Sequence, residues 1–403
     1  MKIKITIVLL LTLLNSYSQK EGKFTFELKQ TPIIQVAGAN TRFFDYDLDG
    51  DLDLIISGNN EKTEGDVYTL TKLYLNDGKG NFSEDKRSKL MGVEYGKIDI
   101  GDINKDGYLD IVITGQEVGS NKERRVIVYQ NNKGVFKPVK EITTFRTFSM
   151  FAGFANVNND GYDDLCIERD MSIEYYINDT KGDFKLAGTL LGAGNVFEYG
   201  IVPFDIDNDG YDEVLLQGEE LIYTSKRPEH RVNTILFKNT KGKYKSIPHN
   251  FRGTNQGVIQ PVDIDDDGDL DVFITNTGKW SEKVEKSFFY MNDKGSFKEI
   301  EANITRYNLG RTCFADFDND EDKDLIIIGN RKVFNTTSYY TEAMDIYENK
   351  EGKFSLFKEK AFPFLDQSSI SAADIDGDGD LDILITGYKI DIPITRVYIN
   401  TLK

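Results

Sequence analysis

The sequence predicts an all-β protein: a seven-bladed β-propeller with four antiparallel strands per blade, its last blade closed by the N-terminal strand. Three observations predict it. An Asp-rich nonapeptide occurs seven times, starting at Asp45, Asp102, Asn156, Asp205, Asp263, Asp316 and Asp374, at spacings of 49 to 58 residues. Each copy runs into a short apolar stretch such as Leu54-Ile55-Ile56 or Ile111-Val112-Ile113, the signature of a buried strand. An aromatic-rich strand ending in Asn follows, then in all but the last unit a Gly turn and Phe or Tyr, as in Leu73-Tyr74-Leu75-Asn76 leading to Phe82. That makes four strands per unit at a period suited to radial repeats.

Along the chain, residues 1–18 read as a cleaved secretory signal. Lys2 and Lys4 precede the apolar run Ile5–Leu14, and Ser16-Tyr17-Ser18 places small residues at the cleavage positions. The run is too short to span a bilayer. Residues 19–403 then form one exported propeller domain with no transmembrane segment, expected to be a monomer. The seventh unit has a third strand, Val397-Tyr398-Ile399-Asn400, and no fourth. The missing piece stands at the other end, where Glu21-Gly22-Lys23-Phe24-Thr25-Phe26-Glu27-Leu28 resembles the Gly-x-Phe strand of the other units. Pairing the two removes two exposed sheet edges. An open solenoid would need capping units, and the sequence has none.

Composition excludes several functions. Lys plus Arg number 49 against 67 Asp plus Glu, a net charge of −18 that argues against nucleic acid as a partner. Two His make a His-based triad or zinc site a poor reading. The two Cys, Cys166 and Cys313, exclude a disulfide scaffold. They fall in the second strand of blade three and the first of blade six, too far apart to bridge.

The Asp-rich loops carry the chemistry. Positions 1, 3, 5 and 9 bear oxygen side chains and position 6 is usually Gly, which permits the sharp curl that brings them together. The sets are Asp45, Asp47, Asp49 and Asp53; Asp102, Asn104, Asp106 and Asp110; Asn156, Asn158, Asp160 and Asp164; Asp205, Asp207, Asp209 and Glu213; Asp263, Asp265, Asp267 and Asp271; Asp316, Asp318, Asp320 and Asp324; Asp374, Asp376, Asp378 and Asp382. Asp-Gly clusters also occur as plain solvated turns. Seven in one register, with converging carboxylates that repel unless a cation is present, point to calcium. Up to seven ions are expected, bound more weakly at the Asn156 loop, which is short of charge. Weaker binding and strain are expected at the Asp316 loop, where Glu321 replaces Gly. The flanking strands and the lack of a Glu at position 12 distinguish these loops from an EF-hand.

These residues resemble the FG-GAP/VCBS repeat family, integrin-α-like calcium-binding propellers, in its bacterial secreted branch. The match is carried by Ala372-Ala373-Asp374-Ile375-Asp376-Gly377-Asp378-Gly379-Asp380-Leu381-Asp382 and its six relatives. The resemblance implies seven blades with calcium between the first and second strands. It names no ligand.

Antiparallel topology puts the loops joining strands two and three on the face opposite the Asp loops. There the sequence places a long loop from Gly218 to Arg231 and candidate ligand-binding residues Tyr223, Arg231, Trp280, Tyr339 and Tyr340. Their aromatic rings could stack on sugars or pack on a protein, as could any ordinary loop residue. The expected function is a secreted or cell-surface, non-enzymatic binding or adhesion module for an extracellular glycan or protein. The alternative is a polysaccharide-acting lyase or hydrolase on the same scaffold; a structural assembly subunit is the third class. No residue is marked as catalytic.

Overall fold

A computed structural model describes residues 24–402 except 62–66, 117–123, 145–150, 170–171, 192–195, 224–227, 255–256, 276–285, 306, 333–339 and 359–360. The expected signal peptide lies outside the described residues. Strand β1 (Phe26–Lys29) precedes the first full blade, β2 (Ala37–Phe44), β3 (Asp53–Glu61), β4 (Val67–Leu75) and β5 (Ser83–Asp85). Blade two is β6 (Glu94–Gly101), β7 (Asp110–Gln116), β8 (Arg124–Asn131) and β9 (Phe136–Thr144). Blade three is β10 (Ala152–Ala155), β11 (Asp164–Arg169), β12 (Ser172–Asn178) and β13 (Phe184–Leu191). Blade four is β14 (Val196–Phe204), β15 (Glu213–Tyr223), β16 (Pro228–Asn239) and β17 (Tyr244–Ile247). Blade five is β18 (Ile259–Val262), β19 (Asp271–Ile274), β20 (Lys286–Asp293) and β21 (Ser296–Thr305). Blade six is β22 (Tyr307–Ala315), β23 (Asp324–Lys332), β24 (Tyr340–Glu348) and β25 (Ser355–Lys358). Blade seven is β26 (Asp366–Ala373), β27 (Asp382–Lys389) and β28 (Ile392–Asn400), and β1 completes it.

The apolar triplets form the second strand of each blade. Leu54, Ile55 and Ile56 are fully buried, as are Ile111, Val112 and Ile113. They run continuously apolar because each blade is packed between two neighbours, so both faces of the strand are covered. The core is correspondingly divided into seven clusters, one in each gap between adjacent blades. The cluster between blades seven and one joins Ile375, Leu384 and Val397 to Leu54, Ile56 and Tyr74, which closes the ring. Tyrosines two residues before the Asn keep their rings in these clusters. In three blades the hydroxyl of such a tyrosine (Tyr74, Tyr129 or Tyr290) accepts a backbone N–H, from Ile34, Met91 or Arg252.

The seam is made as the sequence predicts. β1 pairs antiparallel with β28, Phe26 opposite Asn400 and Lys29 opposite Val397. Phe24 is buried edge-on to Phe357, and Phe26 packs on Phe317 and Phe362. Cys166 and Cys313 are free thiols. One expectation is corrected. Gly218–Arg231 is not a long loop: β15 and β16 continue as a ribbon paired from Gly218↔Asn233 to Tyr223↔Pro228. Leu221, Ile222 and Tyr223 have the strand propensity to carry the ladder outward, and only 224–227 separates the two strands.

A chain starting at Gln30 loses β1 and both phenylalanines. One buried and one half-buried aromatic side chain are worth about 2 to 4 kcal/mol. The thermal midpoint should fall sharply and the exposed β28 edge should promote aggregation. A midpoint equal to that of the chain starting at Phe24 would contradict this closure.

Candidate metal centre

Each Asp loop connects the first strand of a blade to the second. Its curl is set by two residues in the left-handed region. Position 6 is one, with φ of 97° at Gly50 and 90° at Gly268. Position 4 is the other, occupied by Leu48, Lys105, Asn159, Asn208, Asp266, Asn319 and Gly377. The sequence signals the second only in part: five of the seven are Asn, Asp or Gly, which tolerate this region, while Leu48 and Lys105 do not announce it. The position 1 carboxylate holds the curl by accepting N–H groups across it: Gly50 N bonds Asp45 at 3.0 Å, Gly210 N bonds Asp205 at 2.7 Å and Gly379 N bonds Asp374 at 3.0 Å.

Position 9 opens the second strand and is fully buried in all seven blades: Asp53, Asp110, Asp164, Glu213, Asp271, Asp324 and Asp382. One of its oxygens accepts the N–H of position 2 at 2.9–3.4 Å, from Tyr46, Ile103, Val157, Ile206, Ile264, Phe317 and Ile375. The other accepts the N–H of the Asn ending the third strand at 2.6–3.2 Å, from Asn76, Asn131, Asn178, Asn239, Asn292, Asn349 and Asn400. One carboxylate thus pins loop, second strand and third strand together.

The Asn side chain extends the pin to the neighbouring blade. Nδ2 of Asn131 donates to the Tyr46 carbonyl at 2.7 Å and Nδ2 of Asn178 to the Ile103 carbonyl at 2.7 Å. Asn239, Asn292 and Asn400 do the same toward Val157, Ile206 and Phe317 at 2.8 Å. Asn76 reaches Ile375 at 2.8 Å, spanning the seam. The repeated Asn was visible in the sequence; its acceptor, one blade away, was not.

Five loops bring three carboxylate oxygens within 4.8 Å of one another: Asp45/Asp47/Asp53, Asp205/Asp207/Glu213, Asp263/Asp265/Asp271, Asp316/Asp318/Asp320 and Asp374/Asp376/Asp382. Burial and the adjacent carboxylates raise the pKa of Asp47, Asp265 and Asp376. Oδ1 of Asp47, Asp263 and Asp376 is buried with no hydrogen-bond partner. Such oxygens suit a hard divalent cation and are costly without one. The Asp102 and Asn156 loops differ. There Asn104 Nδ2 donates to Asp106 at 3.0 Å and Asn158 Nδ2 to Asp160 at 2.9 Å, so an amide occupies the place of the third carboxylate. In the fourth blade the Lys238 ammonium lies among Asp207, Asp209 and Glu213.

At the opposite end of the blades, Tyr223 ends β15, Arg231 lies in β16 opposite Glu220, and Tyr340 begins β24 opposite Lys332. Trp280 and Tyr339 lie outside the described residues. The same end exposes apolar side chains that the sequence reading passed over. Tyr68 is 55% exposed, and Ile390 and Ile392, at the β27–β28 hairpin tip, are 87% and 64% exposed. Ile390 is left-handed, φ 51°, unusual for a β-branched residue.

Two predictions follow from the loops. Glu321 sits at φ 74° where the other blades have Gly, and a Cβ at Gly50, Gly107, Gly268 or Gly379 would meet no atom within 4 Å. The penalty at Glu321 is therefore conformational. Glu321→Gly should stabilise by about 0.5 to 1 kcal/mol and Gly268→Ala should destabilise by about 1, read from urea midpoints. Burial lifts the position 9 carboxyls to about 7 for Asp53, Asp110 and Asp382, about 6 for Asp164 and Asp271, and about 8 for Asp324. An unfolded Asp titrates near ~3.9, so between these values the native state holds the extra protons. In excess chelator, stability should fall as pH rises from 5 to 8; a rise over that window contradicts the assignment.

Comparison with known proteins agrees with the repeat and the fold. A search of curated proteins finds no match. A lectin of Agrocybe aegerita that recognises non-reducing terminal N-acetylglucosamine is similar in fold at 15% identity and TM-score 0.52, over 80% of this chain and 81% of the lectin. A fungal alcohol oxidase of the AA5 family, in complex with copper, is similar at 15% identity and TM-score 0.57, over 94% of this chain and 76% of the oxidase. The FG-GAP-like repeat matches residues 45–113, 102–167, 156–216, 263–327 and 316–385, more than half of the chain, which therefore belongs to the FG-GAP-like repeat family.

Proposed function

We propose that this protein is an exported propeller whose Asp loops bind calcium structurally and whose opposite face binds an extracellular glycan or protein without chemical turnover. The carrying observation is the separation of the two ends. One end gathers carboxylates with orphaned buried oxygens, and the other exposes Tyr68, Ile390 and Ile392 and carries the strand ends holding Tyr223 and Tyr340. Asp45, Asp47 and Asp53 would hold one ion. The Asp263, Asp316 and Asp374 clusters would hold one each. The ion would supply charge neutralisation, and the chain's own N–H groups would hold the carboxylates in place. An exported setting supplies calcium at the affinity such sites have, about 10⁻⁴ to 10⁻³ M.

The lectin's sugar specificity supports a glycan as ligand class on fold likeness alone. The oxidase favours catalysis only on the same footing. Copper chemistry uses imidazole donors, and this chain has two His, of which His249 spends Nε2 on the Thr234 carbonyl at 2.8 Å.

Excess chelator should lower the thermal midpoint, since calcium binds only the native state. Asp265→Ala should remove one bound ion and Asp160→Ala none, counted by native mass spectrometry. An unchanged midpoint in chelator contradicts the calcium assignment. The binding assignment is tested by screening the calcium-loaded protein on glycan arrays together with a polysaccharide-cleavage assay. Retention of a ligand without product is expected, and weakened in Ile390→Ser/Ile392→Ser. Release of cleaved product would make it an enzyme.

A further inference from the structure

The fourth-blade loop has the same carboxylates as its neighbours but a different occupant. Lys238 Nζ lies 2.6 and 2.8 Å from the two oxygens of Asp207, 2.9 Å from Glu213 Oε1 and 3.1 Å from Asp209 Oδ2. These are positions 3, 5 and 9, three of the four side chains that would ligate an ion. An ammonium has three donors, which matches three carboxylates. Two independent departures from the repeat meet at this point. The residue before the strand-ending Asn is Leu75, Gln130, Ile177, Met291, Glu348 or Ile399 elsewhere, and lysine only here. Position 9 is Glu only here, so its carboxylate has an extra methylene with which to meet the ammonium while still accepting the N–H groups of Ile206 and Asn239.

We infer that Lys238 is the resident cation of the Asp205 loop, a built-in substitute for calcium, and that this loop takes no metal. A divalent ion and an ammonium cannot share the same carboxylates at contact distance, because the two cations would repel each other beside one buried and two partly exposed carboxylates. The consequence is an asymmetric ring. Three-carboxylate clusters also lie in blades one, five, six and seven. These are contiguous, since blade seven packs on blade one. Blades two and three place a neutral amide donor, Asn104 or Asn158, at position 3, and blade four brings in the Lys238 ammonium. Calcium dependence is therefore confined to the arc that contains the seam between β1 and β28. This rests on the calcium reading above only for its metal arm.

The test compares the full chain with Lys238→Met and Lys238→Met/Glu213→Asp, the latter reproducing the blade-five pattern of Met291 and Asp271. Calcium is counted by native mass spectrometry. The double variant should bind one ion more per chain than the parent, and Asp207→Asn in the parent should lose none. An unchanged count in the double variant, or a lost ion in Asp207→Asn, overturns the inference. A second arm uses no metal. In chelator throughout, Lys238→Met should lower the thermal midpoint by at least about 3 °C, because three carboxylates lose their counter-charge. An unchanged midpoint there overturns the inference even if no variant binds calcium, the outcome that would instead remove the calcium reading.

Discussion

The structure depends on a carboxylate buried at the start of the second strand of every blade. Asp53, Asp110, Asp164, Glu213, Asp271, Asp324 and Asp382 have no solvent exposure, and each accepts one N–H from its loop and one from an Asn. A buried carboxylate without partners would cost several kcal/mol, so the two N–H groups must arrive together. That requirement fixes the register of the loop against the strands. It also directs positions 1 and 3 back over the buried group, which is why the loop can gather charge. The Asn side chain then transfers the same constraint to the preceding blade, six times among the described residues, including once across the seam.

Much of this was legible in the sequence because it is local and periodic. The seven nonapeptides, the apolar triplets and the Gly-x-Phe strand each fit within a few residues, and their repetition gave blade count, strand order and closure. Long-range contacts were not legible. Asn131 and its acceptor Tyr46 are 85 residues apart, and nothing near either announces the bond. The left-handed position 4 was legible only in part, through Asn159, Asn208, Asp266, Asn319 and Gly377, because Leu48 and Lys105 in the first two blades break the pattern. The β15–β16 ribbon reads as a loop in the sequence because its charged residues, Glu219, Glu220 and Glu229, mask the strand residues between them. Lys238 was overlooked because its meaning lies in the loop it enters and not in its own segment.

The same accounting explains the composition. A net charge of −18 would repel itself in a compact ring were the acidic groups spread at random. They are concentrated in loops where backbone N–H groups, two amides, one ammonium and the proposed calcium ions answer them. The non-covalent seam joins the blades that hold the Asp374 and Asp45 clusters, so the proposed ion binding would act on the blades that close the ring. The opposite face is free of this constraint, and there hairpins vary from the tight Arg169–Ser172 turn to the long blade-four ribbon.

Amide hydrogen exchange, resolved by residue with and without calcium, tests the account most directly. With calcium, the amides of Ile206, Asn239, Ile375 and Asn400 should all exchange slowly, because each is bonded to a buried position 9 carboxylate. In chelator, Ile375 and Asn400 in blade seven should speed up by orders of magnitude while Ile206 and Asn239 in blade four stay protected. Equal acceleration in the two blades, or rapid exchange of these amides in calcium, would contradict it.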